Sequence, residues 1–289
     1  SLGRCDMESI GTGWMWAGFA GIVAVMLAID LFVVGGGKQH RVSMREAAAW
    51  SVVWVGVTFV FAGGLWWHLD GVMGREIANT KALEFITGYL IEKALAVDNI
   101  FVFVMIFSAF AVPTAYQHRV LFWGVLGVIV LRGLMIGLGA TLVAQYAWLL
   151  YVFAGFLIFT GIKMLLMGDK EHSIADNPLL GLLRRKLNVT DRLEGNAFFV
   201  KRNGIRFATP LFLALVLIEI ADLVFAVDSV PAVFAITTDP FIVYTSNIFA
   251  ILGLRALYFA LSAILHRFAY LKYALSLLLV FIGSKVFLA

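Results

Sequence analysis

Eight apolar stretches, most of them close to 20 residues long, fill most of this sequence. They lie at about 14–34, 46–69, 84–112, 119–143, 147–167, 209–236, 242–265 and 270–289. A helix of about 20 residues crosses roughly 30 Å of hydrocarbon, and it satisfies its own backbone hydrogen bonds there. Charged residues form 14% of the chain, whereas a soluble domain carries about 25%. The sequence therefore predicts an all-α, polytopic transmembrane helical bundle.

The basic residues indicate how this bundle is oriented. Of the 22 Lys and Arg residues, 14 lie in loops on one side, and three (Arg4, Arg75 and Lys81) lie on the other. Loops that stay in the cytosol carry the excess of Lys and Arg. We therefore expect an N-terminus outside the cytosol and a 168–208 loop inside the cell. The net charge of +4 then reflects basic loops and not a nucleic-acid partner.

The apolar segments divide the chain into five parts. These are a polar leader at 1–13, two peripheral transmembrane helices at 14–69, a first three-helix unit at 84–167, a cytosolic loop at 168–208 and a second unit at 209–289. The loop contains Asn203-Gly204, a pair typical of a type I′ β-hairpin turn. We expect a structured linker there, with a gate or partner-docking element as the alternative. The last segment reaches residue 289, which fits a further helix beyond this sequence.

An acid-bearing pattern occurs twice, at 92–99 and at 222–229. Each copy ends in Ala-Val-Asp and a small polar residue, and its aspartate follows another acid by six positions. An intramembrane arginine and a Gly-x-Lys sequence follow each copy: Arg132 and Lys163 in the first unit, Arg255 and Lys285 in the second. Each unit has three crossings, an odd number, so the two units enter the membrane from opposite faces. This predicts an inverted-topology repeat of three helices each.

The repeated acids are the candidate functional residues, because a carboxylate inside a membrane costs about 2.5–3.5 kcal/mol and needs a partner. The candidate metal ligands are Glu92, Asp98, Asn99, Glu219, Asp222, Asp228 and Ser229. Oxygen donors of these kinds suit Mg²⁺, Ca²⁺ or Mn²⁺. The two acidic segments contain no histidine or cysteine, which disfavours a site specialised for zinc or copper.

Helix geometry adds one expectation about these segments. Positions six apart on an ideal helix point about 120° apart, so Glu92 and Asp98 do not share a face. All the acids meet at one point only if the helices bend or unwind near Ala-Val-Asp. Pro231 follows Asp228 by three residues and favours a kink there.

Intramembrane cations provide a second interpretation, because ion pairs alone would neutralise the acids. The cations are Lys93, Arg132, Lys163, Arg255 and Lys285. For Asp30 and Glu84, which lie near segment ends, we favour a structural or interfacial role. Arg132 and Arg255 are expected to pair with carboxylates, and the alternative is that they displace the ion in one state of a transport cycle.

At these same positions the sequence resembles the TerC family, and its Alx-type branch in particular. The matching residues are 87–93, 96–99, 219–222, 225–232, 238–243, 246–247 and 253–255. The resemblance extends over nearly the whole chain from about residue 14. It implies a manganese exporter of the bacterial inner membrane, related to the lysine-exporter superfamily. It also implies that the essential acids are Glu92, Asp98, Glu219, Asp222 and Asp228.

The leading hypothesis is a secondary transporter that exports Mn²⁺ by alternating access, with proton coupling as an added expectation. The alternatives are a transporter or sensor of another hard cation such as Ca²⁺, and a membrane scaffold that acts through the 168–208 loop. An enzyme is disfavoured, because no hydrolase histidine motif, thiol nucleophile site or phosphate-binding loop is present. We expect a divalent metal as cargo, the lipid bilayer as surroundings and no resident cofactor; the oligomeric state is left open.

Overall fold

The computed structural model describes residues 9–30, 43–146, 148–166, 181, 187–202, 204–262 and 271–288. At Asp98, Met164, 271–275 and 285–288 it describes the backbone alone. The side chains of Asp98 and Lys285, most of the leader, and the basic run at 184–186 therefore lie outside the described part of the chain.

The described chain is mostly helical. Its helices are α1 Gly13–Ile29, α2 Met44–Met73, α3 Arg75–Ala109, α4 Thr114–Gln145, α5 Leu149–Leu166, α6 Pro210–Phe234, α7 Pro240–Ile251, α8 Leu254–Leu261 and α9 Leu271–Leu288. Among the described residues, four stretches are long and apolar enough to cross a membrane: Met44–Met73, Thr114–Gln145, Pro210–Phe234 and Pro240–Leu261. The all-α, polytopic membrane architecture predicted from the apolar segments agrees with this arrangement.

Local sequence sets several helix ends. The hydroxyl of Ser43 accepts a hydrogen bond from the backbone N–H of Glu46, which satisfies a free donor at the start of α2. Asp239 does the same for Phe241 at the start of α7. Proline occupies the first position of α6 and of α7, where its missing N–H costs nothing.

No unwinding interrupts α3 or α6 near Ala-Val-Asp, where a bend or an unwinding was expected if all the acids met at one point. Both α3 and α6 remain helical through these residues, and Pro231 lies in the last turn of α6. The interruption occurs instead in the apolar segment at 242–265, which forms two helices, α7 and α8. Gly253 separates them with a φ of +81°, a conformation that side chains other than hydrogen disfavour.

The bundle is held together by two sets of helix contacts. In its centre, α3 packs on α6 and α7, and α4 packs on α6. At one side, α5 packs closely on α9 through Gly161 and Gly283. A Cβ at Gly161 would lie 2.8 Å from the carbonyl oxygen of Ser276, and one at Gly283 would lie 2.7 Å from that of Ala154. Backbones therefore approach each other at both glycines.

Polar contacts join distant parts of the chain at each end of the bundle. At one end, the backbone N–H of Ile10 donates to the Asp239 carboxylate at 3.0 Å, and Thr237 donates to Glu84 at 2.6 Å. Lys81 pairs with Glu84 at the same end. The leader, the start of α3 and the α6–α7 connection thus meet on one side.

The opposite end contains the short hairpin. β1 Phe199–Arg202 pairs antiparallel with β2 Ile205–Ala208, at the position where the sequence predicts a hairpin. Arg119, near the start of α4, lies 4.8 Å from the ring centroid of Phe198. Tyr258 of α8 donates a hydrogen bond to Gln117. The start of α4, the end of α8 and the hairpin therefore share this side.

Candidate cation site

Six polar side chains meet in the middle of the bundle, each at most 2% exposed. They are Glu92 and Asn99 of α3, Arg132 of α4, Asp222 and Ser229 of α6, and Asn247 of α7. Four helices thus contribute to one buried polar cluster, which we call the central cluster. Burial of this kind is favourable only when the polar groups satisfy one another.

Arg132 lies at the middle of the central cluster. Its Nε and Nη2 atoms donate to the two carboxylate oxygens of Asp222 at 2.9 and 2.8 Å. Its Nη1 atom donates to Glu92, and also to Ser229 at 3.3 Å and to Asn247 at 3.2 Å. One guanidinium group therefore joins an acid of the first unit to an acid of the second.

The two asparagines complete the network. Asn247 donates its amide N–H to the second oxygen of Glu92 at 3.1 Å, and Asn99 donates to Asp222 at 3.4 Å. The Oδ1 atom of Asn99 is buried and has no hydrogen-bond partner among the described residues. With both carboxylates ionised, the two acids and Arg132 carry one net negative charge.

Glu219 and Asp228 lie beside the central cluster on α6. Glu219 packs against α4 so closely that a Cβ at Gly127 would overlap its carboxyl group. Thr160 and Lys163 of α5 are the polar neighbours of Asp228. One carboxyl oxygen of each acid is buried without a hydrogen-bond partner in the described part of the chain.

Lys93 and Arg255, two of the other predicted cations, have partners other than the two central acids. Lys93 donates to the carbonyl oxygen of Ala250 at 3.1 Å, in the last turn of α7. Carbonyl groups at a helix C-terminus lack helical partners, and a positive charge there is favourable. Arg255 pairs with the carboxylate of Asp30 at 2.9 Å and also donates to its backbone oxygen. The two arginines at equivalent places in the two units thus have different partners.

Of the seven predicted metal ligands, four are brought together around Arg132: Glu92, Asn99, Asp222 and Ser229. Among the side chains that the structure describes, no three carboxylate, imidazole or thiol groups are close enough to hold a metal ion. The central cluster contains two carboxylates, Glu92 and Asp222, and the Arg132 guanidinium pairs with both of them. Metal binding by these residues stays a prediction.

Sequence reasoning overlooked Asn247 and Thr160 as site residues. Asn247 is the single asparagine of the apolar segment 242–265. A buried amide in hydrocarbon needs partners, which is a usable signal in the sequence. Thr160 gives no comparable signal, because a helical threonine can donate back to its own helix.

A helical bundle that crosses the membrane several times around buried charges defines an integral membrane protein. The family described as "Integral membrane protein TerC family" matches residues 77–289, and this chain belongs to that family. The resemblance drawn from the acidic motifs is thereby confirmed.

Several curated relatives match over nearly the whole chain. A protein of Shigella flexneri and one of Escherichia coli strain K12 are each 54% identical over 280 residues, which cover 97% of this chain and 88% and 87% of theirs. Both carry the provisional description membrane-bound redox modulator Alx. A membrane protein of Myxococcus xanthus without an assigned role is 51% identical over 278 residues, 96% of this chain and 84% of its own. No solved structure matches.

Proposed function

We propose that this protein is a secondary transporter that exports a hard divalent cation, Mn²⁺ in the first instance, across the bacterial inner membrane. The observation that carries the proposal is the meeting of Glu92 and Asp222 at the buried centre. These acids come from the two repeated motifs, yet they share one guanidinium partner. Export and the choice of Mn²⁺ come from the family resemblance.

The donor chemistry of the central cluster supports a hard cation. Glu92 and Asp222 supply carboxylate oxygens, Asn99 supplies a carbonyl oxygen without a described partner, and Ser229 supplies a hydroxyl. Mg²⁺, Ca²⁺ and Mn²⁺ prefer such ligands. The net negative charge of the centre adds attraction for a cation that has shed part of its water.

The packing of α5 against α9 supports alternating access. Gly161 touches the backbone at Ser276, and Gly283 touches the backbone at Ala154. These two contacts mean that α5 and α9 run antiparallel to each other. The two helices end the two predicted units, and equivalent helices that run antiparallel are what an inverted repeat requires.

Two other functions are less well supported. The redox description of the relatives would require a redox-active group, and the 289 residues contain one cysteine, Cys5. Disulfide exchange within this chain would therefore lack a second thiol. A scaffold acting through residues 168–208 stays an alternative that no observation tests, and 19 of those 41 residues lie outside the described part of the chain.

The test is Mn²⁺ flux in proteoliposomes with an imposed pH gradient. Glu92→Gln and Asp222→Asn should each abolish flux while the protein still inserts and purifies as a single species. Glu76→Gln is the matched control, because Glu76 is an exposed acid at the start of the same helix as Glu92. Full Mn²⁺ flux in both central variants would refute the proposal, and Ca²⁺ flux without Mn²⁺ flux would change the cargo.

A further inference from the structure

We infer that Arg132 is a tethered cation, which occupies the cargo position in this conformation and must leave it before a metal ion enters. The inference rests on the proposed transport function. It concerns what fills the acidic centre when the cargo is absent, and which group receives the arginine when the cargo arrives.

The guanidinium of Arg132 occupies the oxygens that a metal ion would need. The guanidinium contacts Glu92, Asp222 and Ser229, which are three of the oxygen-bearing side chains that a hard cation would need. Its two hydrogen bonds to Asp222 use both oxygens of that carboxylate. A metal ion bound by the same oxygens would have to occupy the same space, so the two cations exclude each other sterically.

The charges of the two central acids also favour one cation at a time. Two carboxylates balance one divalent cation, and they hold one guanidinium with a single negative charge to spare. Metal and guanidinium together would place three positive charges against two negative ones at a centre that is at most 2% exposed. The metal alone leaves no excess charge on the two acids, so charge balance favours departure of the guanidinium when the metal binds. The arginine and the cargo should therefore bind in alternation.

Glu219 is the acid best placed to receive the released arginine. It precedes Asp222 by one helical turn on α6, and residues three apart lie on the same face. Its carboxyl group already packs against α4, the helix that carries Arg132, at Gly127. One of its oxygens is buried without a described hydrogen-bond partner. A shift of the Arg132 side chain along α4 toward Glu219 would free Glu92 and Asp222 for a metal ion. The guanidinium would then still be paired with a carboxyl group, that of Glu219.

The second arginine indicates that this occupancy belongs to one state. Arg255 follows the second acidic motif as Arg132 follows the first, yet it pairs with Asp30 of α1. A permanent structural role for both arginines would predict equivalent partners in the two units. Their different partners agree with a cycle in which the two arginines take different roles.

The experiment measures Mn²⁺ affinity of the purified full chain in lipid nanodiscs, by the loss of the free Mn²⁺ signal in electron paramagnetic resonance. If the guanidinium occupies the site about 90% of the time, about 10% of the wild-type protein is free to bind Mn²⁺. Arg132→Gln should then bind Mn²⁺ about tenfold more tightly, because all of its sites are free. The same variant should lose net flux, because the site no longer empties. Glu219→Gln should bind more weakly than wild type, because the released arginine has lost its acceptor.

Arg119→Gln is the matched control, because Arg119 lies on α4 but contacts Phe198 at the bundle end, and its affinity should be unchanged. The inference is overturned if Arg132→Gln binds Mn²⁺ no more tightly than wild type while Glu92→Gln abolishes binding. If Arg132→Gln does not purify as a single species, unchanged affinity in Glu219→Gln overturns the inference. If wild type and Arg132→Gln both fail to bind Mn²⁺, the proposed function fails, and the inference fails with it.

Discussion

Substitution of Gly253 by alanine tests the split between α7 and α8. Two separate costs add at this position. Gly253 has a φ of +81°, which costs an alanine about 1–2 kcal/mol. A Cβ would also lie 2.7–2.9 Å from three atoms of Trp54, and overpacking of a core typically costs about 1–3 kcal/mol. Gly253→Ala should therefore destabilise the protein by about 2–5 kcal/mol.

Gly204 provides a control with the same backbone cost. Its φ is +82°, but a Cβ there would meet no described heavy atom within 4 Å. Gly204→Ala should cost the conformational part alone, about 1–2 kcal/mol. The difference between the two variants isolates the clash with Trp54.

The assay is thermal unfolding of the purified chain in one detergent, followed by fluorescence-detected size-exclusion chromatography. A double variant, Gly253→Ala with Trp54→Ala, should be less destabilised than the two single effects combined, because the second change removes the clash. Equal losses of Tm for Gly253→Ala and Gly204→Ala would refute the reasoning. Strict additivity in the double variant would refute it as well.

Two further predictions concern buried charge and helix packing. Asp30→Asn should cost about 3–5 kcal/mol, because it leaves Arg255, whose side chain is 2% exposed, without its carboxylate partner. Asp70→Asn breaks an exposed pair with Arg75 and should cost at most about 1 kcal/mol. Equal losses of Tm in the two variants would contradict this prediction. Gly161→Ala should cost about 1–3 kcal/mol, because its Cβ would overlap with the backbone of α9. In Gly155→Ala the added Cβ would meet no described atom within 4 Å, so the Tm should be unchanged or raised. Thermal unfolding of both variants in the same detergent tests this difference.

The sequence was sufficient to predict the class of fold and the family. Apolar length determines where a helix can cross a membrane, because an unsatisfied backbone has no alternative partner in lipid. The acidic motifs at 92–99 and 222–229 were specific enough to identify the family before any fold was known. They also identified Glu92 and Asp222, which the structure places in one buried cluster.

The remaining features depend on contacts between distant residues. Hydropathy does not distinguish a continuous helix from the pair α7 and α8, because a single glycine does not end an apolar segment. The close approach of Trp54 to Gly253 is a contact between distant residues, which hydropathy does not report. The repeat predicts similar roles for Arg132 and Arg255. Which carboxylate each arginine reaches depends on how α1 and α4 pack, and that packing leaves no periodic trace in the sequence.

In the proposed cycle, a metal ion replaces the Arg132 guanidinium between Glu92 and Asp222. Anomalous diffraction at the manganese absorption edge, from crystals of the full chain grown with Mn²⁺, tests it directly. We expect one anomalous peak within about 2.0–2.6 Å of oxygens from both acids, with Arg132 withdrawn from Asp222. A peak elsewhere in the protein, with the guanidinium still bound to both carboxylates, would contradict it.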